Sequence, residues 1–451
     1  MAILATPAGW ARVTLGRAGA YDPAGTLADA EKAGAWTAWK RIAGRTSPEG
    51  LIGEVEAAGL RGRGGAGFPA ARKWRACRGT EATQRYVVAN GYEADPGAFA
   101  DRLLMETDPH AVVEGAALAA WAIGATKAIV AVKADYRHAA TRLRTAVAGA
   151  EAAGYLGTGA LDGLVDLHVE VRELQGAYLL GEETALLHAL EGKRGMPDQR
   201  PPYPATSGLF GRPTLVHNVE TLATLPWIVA NGAKAFAAIG STGNSGTKLV
   251  QLAGAVAHPG VAEVPLGVTL GELLEQVGGG AAGRGGLKAI LVGGPAGGLL
   301  PPASLDLRLE FEALAGAGAI MGSGSIVAAD TTACVVDLGR TLARYCAEEA
   351  CGKSIPCRIG LRRLVEIADR FVDGHGRPTD PQLLADLASD VIDSGLCNHE
   401  RRAPNPLLTG MRYFGEEYDA HIREGRCPAG VCRPVAVAAV TASRKATRPH
   451  G

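Results

Sequence analysis

The sequence predicts an α/β protein with a largely parallel sheet, followed by a small α+β module and a helical C-terminal region. Between residues 61 and 240, β-rich runs such as Tyr86–Ala89 and Ala128–Val132 alternate with alanine-rich helical stretches, which is typical of a parallel sheet with crossover helices. Between 241 and 330 the apolar runs are short, and Gly/Pro turns separate them. From 331 to 436 the chain is charged and its apolar residues recur at helical spacing.

Each region has its own predicted elements. An N-terminal leader, 1–60, is expected to contain one helix around Leu51–Ala58, because Gly59 follows its last apolar position. Residues 437–451 are expected to form a disordered tail. In the α/β region the patterns predict the helices Ala111–Ile123 and Tyr136–Ala150. In the α+β module they predict the strands Leu249–Ala253 and Ala289–Val292, with a helix near Leu270–Val277 between them. In the C-terminal region they predict the helices Ala333–Glu349, Leu361–Asp373 and Pro381–Ile392.

Composition excludes some function classes. Lys+Arg and Asp+Glu balance at 46 each, so no net charge attracts nucleic acid or an anionic membrane surface. The most apolar run, 111–132, is interrupted by glycines and charged residues, and the N-terminus lacks a signal-peptide pattern. Four of the eight cysteines lie between Cys334 and Cys357, which favours metal-bound thiolates in a reducing compartment over disulfides. We therefore expect a cytoplasmic protein with no nucleic-acid partner.

A glycine-rich segment, Arg61–Ala70, precedes the basic stretch Arg72-Lys73-Trp74, which can begin a helix. Glycines let backbone amides approach a phosphate, and a helix N-terminus favours the anion. Tight turns also use glycine, and the segment is neither a Walker loop nor a well-placed dinucleotide fingerprint. On this segment alone, phosphate binding and a packing turn both remain open.

Five motifs stand in the order found in one family. They are Leu60–Pro69, Asn90–Arg102, Gly176–Leu187, Glu191–Gly195 and Val216–Thr221. Between about residues 50 and 435 the chain resembles the NADH-binding flavoprotein subunit of respiratory complex I and its relatives in NAD-linked formate dehydrogenases and electron-bifurcating hydrogenases. The resemblance implies a Rossmann-like FMN domain, a soluble-ligand-binding β-grasp module and a C-terminal helical bundle with an iron–sulfur site. The implied cofactors are FMN, NAD(H) and a [4Fe–4S] cluster.

The resemblance also implies roles for individual residues. Those expected around the FMN phosphate and ribityl chain are Gly62, Gly64, Gly65, Gly67 and Lys73. Those expected to line the flavin and nicotinamide are Asn90, Glu93, Tyr178, Gly181, Glu182, Glu183, Asn218 and Thr221. Phe68 and Tyr203 match positions that stack on the NADH adenine, and Arg200 matches a cation in that region. We expect Glu93 and Glu183 to align the nicotinamide for hydride transfer rather than to donate protons.

Simpler interpretations of several positions stay open. Glu182 and Glu183 also suit a solvated helix start. Phe68 after a turn also suits a core position, and Gly293–Gly298 in the β-grasp module also suits packing turns. The order of several long motifs, rather than any one residue, supports the resemblance.

Four positions depart from the family pattern. Tyr92 stands where the family usually has Asp, and Asp95 stands where it usually has Glu. His217 replaces an Asn, and Ala76 replaces a common aromatic. Asp95 is still expected to bind cofactor. The changes leave the fold prediction intact, and they leave open whether the nucleotide is NADH or NADPH.

Cysteines in the C-terminal region predict the iron–sulfur site. Cys351, Cys357 and the distant Cys397 match three ligands of the family's Cys-x-x-Cys-x-x-Cys motif and its fourth Cys. Ser354 stands at the second ligand position. An alkoxide from Ser354 or a water on the fourth iron would complete a [4Fe–4S] cluster, and loss of that iron would leave [3Fe–4S]. A site that has lost its metal is the alternative.

A second candidate metal group comprises His421, Cys427 and Cys432. One His and two Cys can supply three of four zinc ligands, with the fourth from elsewhere in the chain or from a partner. Two buried thiols without metal are the alternative. The cysteines interpreted as core or interface residues are Cys77, Cys334 and Cys346.

The predicted activity is that of an NADH dehydrogenase (diaphorase) subunit, in which a hydride passes to FMN and single electrons pass to iron–sulfur clusters. The family pairs this subunit with a thioredoxin-like [2Fe–2S] subunit, expected here on a separate polypeptide, and with a further iron–sulfur and terminal catalytic subunit. Any membrane association is expected to be indirect. The alternatives are an NAD(P)H dehydrogenase without FMN and a degenerate flavoprotein that serves as a scaffold.

Overall fold

A five-stranded sheet forms the centre of the N-terminal half of the chain in the computed structural model, which describes residues 2–42 and 45–432. Its strands are β1 (Tyr86–Gly91), β2 (Lys127–Lys133), β3 (Gly157–Gly159), β4 (Val165–Leu174) and β5 (Thr214–Asn218). Their order across the sheet is β3, β4, β2, β1, β5, and all neighbours are parallel except β3 and β4. The inner strands β1 and β2 are buried along most of their length, as expected for a parallel sheet covered on both faces.

The strand order creates a switch point between β1 and β5. From β1 the chain crosses to β2 and then to β4 on one side, and it later returns to place β5 on the other side of β1. Crossovers that leave in opposite directions open a crevice outside the carboxyl ends of the two strands, where α/β proteins bind ligands. Asn90 and Asn218 face each other in register at these two ends.

Among residues 2–42 and 45–240, twelve helices accompany this sheet. They are α1 (Leu27–Lys32), α2 (Thr37–Ile42), α3 (Pro48–Ala57), α4 (Ala70–Gly79), α5 (Ala100–Thr107), α6 (Pro109–Ile123), α7 (Arg137–Ala152), α8 (Ala160–Gly163), α9 (Glu183–Leu190), α10 (Val219–Ala223), α11 (Leu225–Asn231) and α12 (Ala233–Ala237). Single 3₁₀ turns occur at Tyr178–Gly181 and Leu209–Gly211. The alanine-rich α6 is buried on nearly every side, and small side chains permit its close packing.

The described part of the leader, residues 2–42 and 45–60, contains three helices where the sequence predicts one. The helices α1 and α2 have only six residues each, too few for an apolar period to be recognised. Their stability comes from tertiary contacts, since Trp36 and Trp39 are buried in the core of the α/β domain. The buried Glu114 carboxylate of α6 accepts hydrogen bonds from the amides of Trp36 at 2.9 Å and Trp39 at 3.1 Å. A buried acceptor therefore caps the start of α2, which is a long-range effect.

A second five-stranded sheet forms the β-grasp module. After the short hairpin β6 (Gly240–Ser241) and β7 (Asn244–Ser245), its strands are β8 (Thr247–Gly254), β9 (Gly260–Pro265), β10 (Leu287–Val292), β11 (Gly298–Leu300) and β12 (Ser325–Asp330). They lie in the order β11, β10, β12, β8, β9, with only β12 and β8 parallel. Its helical segments are α13 (Leu270–Glu272), which continues into a π-helical turn at Leu273–Val277, a 3₁₀ turn at Pro302–Ser304, and α14 (Phe311–Gly316).

Up to residue 432, the last that the structure describes, the C-terminal region contains the helices α15 (Val335–Glu348), α16 (Leu361–Val372), α17 (Asp380–Ser394), α18 (Asn398–Arg402), α19 (Asn405–Tyr413) and α20 (Gly415–Arg423), with a π-helical turn at Pro356–Gly360 before α16. Their apolar faces share one core. The expected tail, 437–451, lies outside the described residues. No described helix combines the length and apolarity needed to cross a bilayer. The predicted fold class, an α/β domain, a β-grasp module and a helical region, is confirmed.

Candidate functional site

The carboxyl ends of β1 and β5 and the glycine-rich loop before α4 lie together at the switch point of the sheet, where a ligand crevice is expected and which is called the cleft below. The Asn90 side-chain amide donates to the Gly181 carbonyl at 3.1 Å. Asn218 is the N-cap of α10, which also holds Thr221. The Arg63 backbone amide donates to the Thr221 hydroxyl at 2.8 Å, which attaches the glycine-rich loop to the end of β5. Residues predicted from three separate motifs therefore meet at the switch point of the sheet.

The glycine-rich loop is shaped by positive φ angles and by close packing. Gly65 has φ +111° and Gly67 has φ +62°, a region that side chains other than glycine rarely adopt. Within residues 2–42 and 45–432, the backbone amides of 64–67 have no hydrogen-bond partner in the protein. A Cβ added to Gly65 would lie 2.9 Å from the carbonyl oxygen of Gly322 in the β-grasp module. Gly65 is therefore required for packing between the two domains as well as for the loop conformation.

Glu183 lies between two cations at the side of the cleft. Its carboxylate is 2.7 Å from Lys73 Nζ and 2.8 Å from Arg200 Nη1. Lys73 Nζ also donates to the carbonyl of Val216 in β5 at 2.9 Å. Burial alone would raise the pKa of Glu183, but Lys73 and Arg200 outweigh burial and lower it. The group is thus an ionised carboxylate that holds two positive side chains at the edge of the cleft.

Glu93 and Asp101 form a buried pair of carboxylates behind the strand ends. Glu93 follows β1 with φ +41° and accepts hydrogen bonds from the amides of Asp101 at 2.8 Å and Arg102 at 2.9 Å, at the start of α5. Asp101 accepts a hydrogen bond from Asn218 Nδ2 at 2.6 Å. Burial raises the pKa of Glu93 to about 7, against the opposing effect of the two amides, and burial next to Glu93 raises the pKa of Asp101. Glu93 is therefore positioned by α5, and the pair favours holding a proton.

The segment before α9 joins this cleft to the C-terminal region. Glu182 is the N-cap of α9 and accepts hydrogen bonds from the amides of Thr184 at 2.8 Å and Ala185 at 2.9 Å. A helix-start role therefore accounts for its contacts within the protein. The Tyr178 amide donates to the Glu349 carboxylate at 2.8 Å, and the Tyr178 ring packs against His399 with a centroid separation of 5.2 Å.

Phe68 and Tyr203 are 49% and 57% exposed, respectively, so neither is a core residue. Arg72 lies over the Phe68 ring at 5.4 Å, and Arg200 lies over the Tyr203 ring at 6.0 Å. Exposed aromatic faces with adjacent cations are suited to a purine and its phosphates.

The three predicted iron–sulfur cysteines lie where two apolar cores meet. Cys397 belongs to the apolar cluster that also contains Leu179 and Val216, and the partly buried Cys351 packs against that cluster, while Cys357 belongs to the core of the C-terminal helices. Burial, and to a smaller extent the neighbouring Cys351, Glu400 and Cys397, raise the pKa of the Cys357 thiol to about 12, against a hydrogen bond with the Gly352 backbone. Cys351 and Cys397 are therefore both close enough to Cys357 to affect its pKa.

Ser354 sits among these thiols. Its hydroxyl donates to the Glu400 carboxylate at 2.6 Å and accepts from the Cys357 amide at 3.2 Å. The nearby Lys353 Nζ donates to the Pro197 carbonyl at 2.6 Å, which ties the cysteine loop to the loop that leads to Arg200.

Comparison with known proteins agrees with this geometry. Residues 55–227 match the Nuo51 FMN-binding domain, residues 249–300 match the SLBB domain, and residues 337–421 match the NADH-ubiquinone oxidoreductase-F iron-sulfur binding region. The chain is 43% identical over 386 residues to the NADP-reducing hydrogenase subunit HndC of Solidesulfovibrio fructosivorans, covering 86% of this chain and 79% of that protein. It is 38% identical over 402 residues to an NADH-quinone oxidoreductase subunit of Rhizobium meliloti (strain 1021), covering 89% of this chain and 96% of that protein.

A solved structure of an NAD+-reducing [NiFe]-hydrogenase in the H2-reduced state superposes with a TM-score of 0.79 and 34% identity, covering 92% of this chain and 69% of that chain. The chain belongs to the family of NADH-binding FMN subunits. The family assignment confirms the predicted oxidoreductase class and the predicted cofactors, FMN, NAD(H) and an iron–sulfur cluster.

The residues at the cleft fit the FMN that this family binds. The loop offers backbone amides without protein partners, and Lys73 offers a cation beside the start of α4, as a phosphate needs. The donor set behind the cleft fits an iron–sulfur cluster at three positions, since thiolates are the ligands such clusters take. At the fourth position, Ser354 offers oxygen in place of sulfur.

Two of the residues at which this flavoprotein subunit departs from the family pattern, Tyr92 and His217, are held in place by hydrogen bonds. The Tyr92 hydroxyl donates to the Gly176 carbonyl. His217 accepts a hydrogen bond from Trp74 Nε1 at 2.8 Å, and burial next to Lys73 lowers its pKa to about 3, so it is neutral. Ala76 is exposed on α4.

Asp95 accepts hydrogen bonds from the Ser323 hydroxyl at 2.6 Å and the Gly97 amide at 3.0 Å. A Cβ on Gly294 would lie 2.1 Å from its carboxylate. The glycine segment 293–298 therefore lets the β-grasp module approach Asp95, which is a packing role at the edge of the cleft.

The second metal group is completed by a residue that the sequence interpretation placed elsewhere. The ligand atoms of Cys334, His421, Cys427 and Cys432 all lie within 4.8 Å of one another, and all four residues are buried. Cys334 is a core residue, as expected, and its Sγ also lies 3.4 Å from His421 Nε2. His421 Nδ1 is hydrogen-bonded to the Glu417 carbonyl at 2.8 Å, which directs Nε2 toward the three thiols.

Sequence reasoning missed three residues of these sites: Asp101, Cys334 and Glu400. Asp101 lies inside the motif 90–102, which was a signal. Glu400 follows Cys397 by three residues, so both lie on one helical turn. Cys334 lies 87 residues from His421, and nothing in the sequence joins the two.

Proposed function

We propose that this chain takes a hydride from NADH at the cleft between β1 and β5 and passes single electrons to a cluster held by Cys351, Cys357 and Cys397. The observation that supports the proposal best is the packing of Cys351 and Cys397 in the same apolar group as Val216, next to the strand ends that border the cleft. When bound, FMN accepts electrons as a pair and releases them one at a time.

The residues of the cleft have complementary roles in this proposal. The amides of 64–67 and Lys73 hold the FMN phosphate, and Asn90 and Asn218 offer amide groups at the strand ends. Glu183 holds Lys73 and Arg200 in place, which fixes the positive charge beside the phosphates. Glu93 is immobilised by α5 and acts by alignment. Phe68 and Tyr203 provide the exposed aromatic faces for the adenine.

A partner subunit receives the electrons in this proposal. Ile355 and Ile359 flank Cys357 and are 69% and 48% exposed, respectively. Large exposed apolar side chains next to a redox site mark a surface that a partner covers. By the chemistry of this family we assign the partners as a thioredoxin-like [2Fe–2S] subunit and a further iron–sulfur and terminal catalytic subunit on other polypeptides.

A zinc ion is proposed at the second group. Three thiolates and one imidazole are a common donor set for a four-coordinate structural zinc, and the Glu417 carbonyl supplies the outer contact to the imidazole. The site joins the start of α15 to the chain after α20, so its role here is to hold the end of the helical region together.

The test uses the full chain purified without oxygen. We expect bound FMN, iron and acid-labile sulfide, and bleaching of the flavin absorbance when NADH is added. A colourless protein that still oxidises NAD(P)H would instead identify a dehydrogenase without FMN. Bound FMN that neither NADH nor NADPH reduces would identify a scaffold.

A matched pair of variants tests the nucleotide face. Tyr203→Ala should raise the KM for NADH about three- to ten-fold, because an aromatic stack is worth about 0.5–1.5 kcal/mol. FMN content should not change. The control is Phe210→Ala, which removes an aromatic of similar exposure, 60%, that packs against Tyr86. Equal KM values for NADH in the two variants would show that Tyr203 does not contact the nucleotide.

A further inference from the structure

A buried acidic side chain lies at the one corner of the cysteine site that lacks a thiol. Cys351 follows α15, Cys357 lies in the turn before α16, and Cys397 is the N-cap of α18. Ser354 occupies the remaining corner, and Glu400 reaches it from α18.

The Glu400 carboxylate is only 1% exposed. One oxygen accepts from the Ser354 hydroxyl at 2.6 Å, and the other accepts from the Leu396 amide at 2.8 Å. Across residues 2–42 and 45–432, no Lys, Arg or His side chain lies within ion-pair distance of it. Each oxygen therefore keeps a lone pair free, and the carboxylate has no positive partner in that part of the chain.

A buried carboxylate with few donors is stabilised when a proton or a cation joins it, because burial is unfavourable for its charged form. The charge of Glu400 raises the pKa of the thiols of Cys357 and Cys397, which are groups that bind iron, while the adjacent His399 directs its Nε2 to the Cys346 carbonyl at 2.8 Å. Other buried carboxylates are better satisfied within the protein: Glu220 pairs with Lys248, and Glu263 accepts hydrogen bonds from three backbone amides and the Thr247 hydroxyl. The chemistry around Glu400 therefore points to a metal ion as the missing positive charge.

We propose that the Glu400 carboxylate is the fourth protein ligand of the iron–sulfur cluster, binding the iron for which Ser354 provides no thiolate. The proposal rests on the proposed cluster at Cys351, Cys357 and Cys397. A carboxylic acid gives up its proton to a metal far more readily than a serine hydroxyl, which makes the carboxylate the better oxygen ligand of the two. Ser354 instead donates its hydrogen bond to Glu400 and orients it, as outer contacts of metal ligands commonly do.

The site then has three sulfur ligands and one oxygen ligand, each with a single negative charge. Oxygen is harder than sulfur, so the cluster should have a lower reduction potential than one with four thiolates. Replacing Ser354 by Cys should raise the potential, because a thiolate then takes the fourth iron.

The experiment compares the wild type with Glu400→Gln, Ser354→Ala and the double variant Ser354→Cys/Glu400→Gln, all as full chains purified without oxygen. Iron per chain and electron paramagnetic resonance are measured, and FMN content reports on folding. We expect about four irons in the wild type and in Ser354→Ala, and about three irons with a [3Fe–4S] signal in Glu400→Gln. The double variant should regain about four. The control, Glu366→Gln, removes an exposed carboxylate of α16 and should match the wild type.

Each outcome separates the two proposals. A wild type without iron would overturn the cluster and Glu400 together. A full cluster in both the wild type and Glu400→Gln would overturn the Glu400 assignment alone. Loss of the fourth iron from Ser354→Ala, but not from Glu400→Gln, would make Ser354 the ligand instead.

A second measurement needs no change at Glu400. Mössbauer spectra of ⁵⁷Fe-labelled protein distinguish an oxygen-bound iron from sulfur-bound irons. We expect one oxygen-bound site in the wild type and in Ser354→Ala, and none in Ser354→Cys. Its disappearance from Ser354→Ala would refute the proposal.

Discussion

Glu93 provides a direct test of the electrostatics behind the cleft. Its side chain is 8% exposed and lies beside Asp101, and burial raises its pKa from the ordinary 4.5 to about 7. A raised pKa means that the folded protein favours the protonated carboxyl. The resulting stabilisation is complete below pH 4.5, decreases as the pH rises toward about 7, and is absent above it.

The magnitude follows from the width of that interval. One pKa unit corresponds to about 1.4 kcal/mol, so the rise to about 7 corresponds to about 3 kcal/mol. Glu93→Gln keeps the size of the side chain and removes its titration. We therefore expect the free energy of unfolding of the wild type, relative to Glu93→Gln, to fall by on the order of 3 kcal/mol between about pH 4.5 and 8, a change that belongs to the Glu93–Asp101 pair because the Glu93 charge also raises the pKa of Asp101.

Urea denaturation followed by tryptophan fluorescence at several pH values measures this difference. Glu170→Gln is the control, because that carboxylate is 55% exposed and pairs only at the surface with Arg172. If the difference in unfolding free energy between the wild type and Glu93→Gln does not change over this pH range, Glu93 does not titrate near neutrality, and its burial does not raise its pKa as stated.

Three further changes test the loop, its cation and the zinc group. Lys73→Met should weaken FMN binding about ten- to a hundred-fold, since a charge-assisted hydrogen bond contributes about 1.5–3 kcal/mol. Fluorescence titration with FMN measures this affinity. The control is Arg75→Met on the same helix, which should bind FMN normally because Arg75 pairs with a surface Glu. Gly65→Ala should lower FMN content and thermal stability together, because its Cβ would meet the Gly322 backbone at 2.9 Å; loss of FMN with unchanged melting would contradict the packing role. Cys427→Ala should lose about one zinc per chain while FMN remains bound, and elemental analysis measures the zinc content. An unchanged zinc content would show that Cys334, His421, Cys427 and Cys432 do not bind zinc.

The sequence by itself determined the local features of this protein. Alternation of apolar runs with alanine-rich helices predicted the parallel sheet, and β1 and α6 lie close to their predicted ranges. The ordered motifs predicted the family, and Cys351, Cys357 and Cys397 predicted the cluster region that the family match confirms. These signals are local or linear, because periodicity and motif spacing depend on neighbours along the chain.

Only the tertiary structure decided which distant groups meet. Glu114 caps α2 across 78 residues and so stabilises helices too short to be recognised by pattern. Cys334 joins His421 across 87 residues. Glu400 reaches Ser354 from another helix, which places a buried carboxylate where the motif shows only a missing thiol. Burial, charge pairing and pKa are properties of a three-dimensional environment, and that environment exists only after distant segments have packed together.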